Sequence, residues 1–173
     1  MNNVASNSGT RRKQRGQSIV ELALILPLLL VALYIPADFG ISFYAANMVA
    51  NAAREGARIG SGLPKTGGVY TTATADQIRD YVRDHVGVPP WLTSRQLIVK
   101  FYDGANCSQY IEVTVQGNYN FFLYQLVRLI GVSMNQNNVT IARTTQMRYN
   151  FQTAGAATDA LCPTPTSFPA YNI

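Results

Sequence analysis

One acidic residue, Glu21, sits inside an apolar run that extends from Ile19 to Ala37. Carboxylates are costly in hydrocarbon, so an acid in a membrane run is a functional position by default. A basic, polar leader precedes the run and carries Arg11, Arg12, Lys13 and Arg15. It ends at Gly16, followed by Gln17-Ser18-Ile19-Val20-Glu21. Two kinds of chemistry suit this layout. The small residue closing the leader is a place for a peptidase to cut. The carboxylate at the helix mouth can pair with a positive charge, because opposite charges in low dielectric attract strongly and an unpaired one is costly. The plainer alternative is that Glu21 snorkels to the cytoplasmic headgroups.

Elsewhere the chemistry is sparse. His85 is the single histidine, placed on a predicted amphipathic helix with no partner set for acid–base work. Cys107 and Cys162 lack zinc-ligand spacing. If the C-terminal half is exported, a disulfide between them is permitted; two separate thiols is the other reading. The glycines at Ser61-Gly62 and Gly67-Gly68 lack the Lys and Ser/Thr order of a phosphate loop. No catalytic site, metal or cofactor is expected from these residues.

The elements that must position Glu21 follow from hydropathy. Ile19 to Ala37 as a helix gives about 28 Å, close to the roughly 30 Å hydrocarbon core. Pro27 and Pro36 interrupt its backbone bonding, which membrane helices tolerate, and a bend near Pro36–Gly40 is expected. Asp38 is placed to reach the headgroups. Tyr34, Phe43 and Tyr44 suit the outer interface, where amphipathic rings are favoured. The clustered cations put residues 1–16 in the cytoplasm and everything beyond about residue 40 outside it. A buried core helix is the rival reading of the run. A secretory signal is another, with Ala50-Asn51-Ala52 as a small-x-small site, but the run is longer than the usual roughly 7–15 residues and that site lies well past its end.

Composition agrees with a membrane segment. The 173 residues allow one modest domain besides it. Charged residues make up 13% of the chain, against about 25% in soluble domains. The net charge of +5 belongs to the leader, whose four cations leave a body of nearly balanced charge. No basic stripe suggests nucleic acid as a partner.

Arg15-Gly16-Gln17-Ser18-Ile19-Val20-Glu21-Leu22-Ala23-Leu24-Ile25-Leu26-Pro27 resembles the N-terminus of the TadE-like family, minor pilins or pseudopilins of the tight-adherence (Flp) pilus system. The likeness continues through Ala37-Asp38-Phe39-Gly40 and Asn51-Ala52-Ala53-Arg54-Glu55-Gly56-Ala57-Arg58, and echoes weakly from Val139 to Tyr149. It implies cleavage after Gly16 by a prepilin peptidase, leaving Gln17 as the new N-terminus. Glu21 would then be the fifth mature residue, its carboxylate pairing with the N-terminal amine of a neighbouring subunit. Implied partners are the peptidase, other pilin-like subunits, the inner-membrane assembly platform and the lipid bilayer. Main Flp pilins are little more than leader and helix. The longer chain here points to a minor subunit with an outer domain, held in the cytoplasmic membrane or incorporated in a pilus. An uncleaved, single-pass anchor for an exported binding domain is the alternative from a different class.

The expected fold is α+β: a long transmembrane and stalk helix, then a small antiparallel sheet of about three strands packed with short helices. The divisions are a leader at 1–16, the helix at 17–60, an exported domain at 61–153 and an irregular tail at 154–173. Dense Ala and Gly between Ala45 and Gly60 suit close approach of neighbouring helices. Gly60-Ser61-Gly62-Leu63-Pro64 stops the stalk. Thr74 or Asp76 caps a second helix to about Val86, with Ile78, Tyr81, Val82 and His85 inward. Gln96–Tyr102, Tyr110–Gln116 and Val139–Tyr149 read as strands. Tyr119–Ile130 reads as an extended lead into a short helix.

Overall fold

The computed structural model describes residues 14–65, 70–104, 107–122, 128, 131, 138–150 and 161–173. Helix α1 (Gln14–Gly62) runs 49 residues and continues unbroken through Pro27, Pro36 and Gly40. Its two halves differ in what covers them. Up to Tyr44 the apolar side chains face outward all round, Leu24 and Leu28 at 73% and 72% exposure. From Ala45 onward one face is buried: Ala45, Val49, Ala52, Ala53, Gly56, Ala57 and Gly60. Their spacing of three and four residues is that of one helix face.

That face packs on a sheet of this same chain. Strands β1 (Thr93–Tyr102), β2 (Tyr110–Asn120) and β3 (Asn138–Arg148) form an antiparallel meander in the order β3-β2-β1. Alternation sets its two faces. Leu97, Val99 and Phe101 of β1 and Ile111, Val113 and Val115 of β2 are fully buried toward the helices. Between them, Lys100, Glu112, Thr114 and Gln116 point to the open side. Helix α2 (Thr72–Tyr81) continues as a single wide turn at Val82–Val86 and lies on the same sheet face as α1, burying Ile78 and Val82. The result is two layers, helices on one face and solvent on the other.

The structure departs from expectation at several points. The sheet has five strands rather than about three, because the segment expected to be an irregular tail supplies β4 (Pro165–Ser167) and β5 (Tyr171–Asn172), both on the free edge of β1. Strands of three and two residues are too short to show alternation. They exist because β1 offers them backbone partners, as in Phe168 N–H donating to Val99 O (3.3 Å) and Ile173 N–H to Arg95 O (3.3 Å). The N-cap of α2 is Thr71, not Thr74 or Asp76; Thr71 O accepts from the backbone N–H of Thr74 and Ala75, and Thr74 is buried. His85 is exposed and stacks on Tyr81 at 4.5 Å instead of facing inward. β2 is longer than expected and takes in Tyr119 and Asn120. Most of the short helix expected up to Ile130 lies outside the described residues, as does the leader up to residue 13.

The small residues of the stalk allow close approach within the chain itself, to the sheet as well as to a helix. A methyl group on Gly56 would meet Val113 Cγ1 at 3.1 Å and Val82 Cγ2 at 3.2 Å. On Gly60 it would collide with Ile111 Cδ1 and approach Ile78 Cδ1 at 2.9 Å. The glycines therefore let the sheet and helix α2 of the same chain come close.

Candidate functional site

Gly16 and Gln17 lie in the first turns of α1, which begins at Gln14. Residues four apart share a helix face. Accordingly Gln17 Nε2 donates to Glu21 Oε1 at 3.1 Å, on an exposed surface. The position implied as the mature N-terminus and the acid implied as its partner are thus on one side of one helical turn. Besides Gln17 and Ser18, the helix around Glu21 presents apolar side chains, among them Ile19, Val20, Leu22, Leu24 and Ile25, all more than half exposed.

At the other end of the apolar stretch stands Asp38. It is 4% exposed and turned toward the domain, not out to the headgroups as expected. Asp38 Oδ1 accepts from Tyr119 Oη at 3.3 Å and from the backbone N–H of Phe122 at 3.1 Å. A buried carboxylate needs such donors. Burial, and then the neighbouring Asp38 charge, push the Tyr119 phenol above its ordinary pKa. The contact fastens the end of β2 to the helix where the apolar run ends, and aromatic rings flank it. Phe122 lies 5.4 Å from Tyr34, Phe121 lies 6.2 Å from Phe39, and Trp91 stacks on Tyr44 at 6.1 Å. Sequence reasoning missed this clamp. Its signal was present as an isolated acid after the run and the triplet Tyr119, Phe121 and Phe122, but the two are about eighty residues apart.

The cysteines sit at the opposite end of the sheet. Cys107 and Cys162 are joined as a disulfide with Cα atoms 5.1 Å apart, closing a loop of 55 residues. Ser108 O accepts from Cys162 N–H beside it at 3.3 Å. Nearby, Lys65 Nζ donates to Asp103 Oδ1 (2.7 Å) and Gln109 Oε1 (3.0 Å), tying the chain after α1 to the end of β1. Among the described residues no three His, Cys, Asp or Glu side chains cluster as metal ligands. Arg58 forms a two-pronged ion pair with Glu55, which also accepts from Tyr81 Oη at 3.2 Å.

A long helix, apolar and uncovered over its first half, carrying a small α+β head on its second half, fits a membrane-anchored protein with a helical stalk. α1 is long and apolar enough to cross a membrane. The family model of TadE-like proteins matches residues 16–58, which is α1 from Gly16 almost to its end. The resemblance to that family is thereby shown over this segment and is consistent with a TadE-like protein of the tight-adherence pilus system. No curated protein and no solved structure matches the chain.

Proposed function

We propose that the chain is a minor pilin or pseudopilin that takes part in assembling a Flp-type pilus. The observation that carries this reading is where the family match begins. It starts at Gly16, the last residue of the basic leader, and covers Glu21 and the exposed apolar helix. In this reading a prepilin peptidase cuts between Gly16 and Gln17, and residues 1–16 remain in the cytoplasm. The new amine on Gln17 is then a positive charge one helical turn from Glu21. When subunits stack their apolar helices, that amine in one subunit and Glu21 in the next neutralise each other in low dielectric, where either alone is costly. The exposed Leu, Ile and Val of α1 serve lipid before assembly and neighbouring helices after it. Other pilin-like subunits and the inner-membrane assembly platform are the partners, and pilus-borne surface attachment is the outcome.

Glu21→Ala tests the reading. Cleavage after Gly16 continues, because the peptidase acts on the leader junction, while surface piliation measured by shearing and immunoblot falls. Full piliation with Glu21→Ala would sink the proposed role of this carboxylate. An intact leader on the native protein would favour the uncleaved membrane anchor instead.

A further inference from the structure

We propose that the underside of the exported head is seated in the outer leaflet of the membrane that α1 crosses, with Phe122 beside Tyr34 at hydrocarbon depth and Trp91 beside Tyr44 among the headgroups. This rests on α1 being a membrane anchor and not on the pilin reading. The continuity of the exposed apolar surface is the first argument. It runs without a break from the hydrocarbon-length stretch Ile19–Ala37 through Phe39, Ile41, Phe43 and Tyr44, and α1 acquires a buried apolar face only from Ala45 upward. Phe39 to Tyr44 covers about 9 Å of helix, against a headgroup layer of roughly 5–7 Å on each side. The continuous buried seam between head and helix therefore begins where the bilayer stops covering α1, while Phe122 and Tyr119 reach below it to Tyr34 and Asp38.

Depth is the second argument. Asp38 stands at the boundary between these layers, and its carboxylate is shielded by Tyr119 and the backbone of Phe122. Tyr34 lies one turn deeper, about 6 Å, and Phe122 packs on it. A head that closes over Asp38 must carry Phe122 to that depth. The character of the face is the third argument. A groove lined mostly by apolar and aromatic residues, among them Ile41, Tyr44, Trp91, Tyr119 and Phe122, with Asn120 as its amide, opens at this level. Trp91 and Phe122 remain 46% and 47% exposed, and Tyr and Trp are the side chains favoured at a membrane interface. Phospholipid is thus the partner that already borders this surface on the membrane side.

Trp91 is the sole tryptophan of the chain, so its fluorescence reports on this face alone. The full chain is placed in nanodiscs of phosphatidylcholine and phosphatidylglycerol, with spin labels on the headgroup, at a shallow acyl carbon or at a deep one. The expected result is a blue-shifted emission, protection from acrylamide, and quenching that is strongest with headgroup and shallow labels. Phe122→Ser weakens that quenching, and Phe122→Leu retains it. A chain that co-elutes with the discs, yet whose Trp91 is quenched by acrylamide and untouched by labelled lipid, overturns the docking alone. Protection that grows with the number of chains per disc, without lipid quenching, assigns the face to a second copy and also overturns it. Failure to co-elute removes the membrane anchor and the docking together.

Discussion

Asp38 and Glu21 are both acids bordering one apolar run, yet the structure gives them opposite surroundings. Glu21 is exposed and, among the described residues, bonded to Gln17 one turn away, a carboxylate available to another charge. Asp38 is consumed by its own chain. Asp38→Ala is expected to leave the Phe122 N–H and the Tyr119 hydroxyl short of an acceptor, destabilising the head by about 1–3 kcal/mol. Asp38→Asn keeps one acceptor oxygen and loses less. Urea unfolding of both variants in detergent micelles measures the difference, and equal stability of Asp38→Ala and wild type would remove the clamp from the account. Glu21 was legible in the sequence because a charge inside an apolar run is a local anomaly. The direction of Asp38 was not, because its donors come from the far end of β2 and no local pattern links them.

At the scale of elements, the seam between α1 and the sheet depends on glycines of unequal tightness. Gly60→Ala forces a methyl against Ile111 and Ile78, both fully buried, and overpacking of this kind costs about 1–3 kcal/mol. Gly56→Ala meets its two valines at tight distances, 3.1 and 3.2 Å, so they must give by a few tenths of an ångström. That offsets about 1 kcal/mol of gained helix propensity, and the change is expected to be nearly neutral. Thermal unfolding should rank Gly60→Ala well below Gly56→Ala. On the open face of the sheet, Glu112 links three strands, accepting from Lys100 (3.0 Å) and Gln146 (2.8 Å). Burial pulls its carboxyl up, but those two hydrogen bonds outweigh it and hold the pKa below the ordinary value. A depressed carboxyl contributes stability that is present above its unfolded value of about 4.5 and is lost as pH falls through the folded one. Glu112→Gln should flatten the acid limb of the stability–pH curve below about 4.5; an unchanged limb would contradict this.

The long strands and the stalk were readable from period-two and period-3.6 patterns, while β4 and β5 were not. Their positions come from β1's open edge and from the covalent tie at Cys162. Cys107→Ser is expected to cost about 2–5 kcal/mol and to expose the segment after residue 160 to proteases. Limited proteolysis with mass mapping checks it, and a tail as resistant as in the wild type would show that the edge pairing suffices alone.

At the scale of the molecule, the chain divides by what it covers itself: the lower half of α1 is left exposed, and its own head packs over the upper half. The head is closed by a stack of Tyr70, Phe101 and Tyr149, with rings 4.3 and 4.7 Å from Tyr70. Burial pushes the Tyr70 phenol up to about 12 and raises Tyr149 as well. A raised phenol contributes stability that is full below the unfolded value of 10.0 and is lost as pH rises through the folded one, so the head should weaken between about pH 10 and 12. Denaturation midpoints across that window test it, and a flat profile would mean the stack is open to water.

The central claim concerns the N-terminus, and the mass of the mature protein from a native membrane fraction tests it most directly. The expected chain starts at Gln17, with residues 1–16 removed. A chain that retains the leader would contradict it and leave an uncleaved membrane anchor.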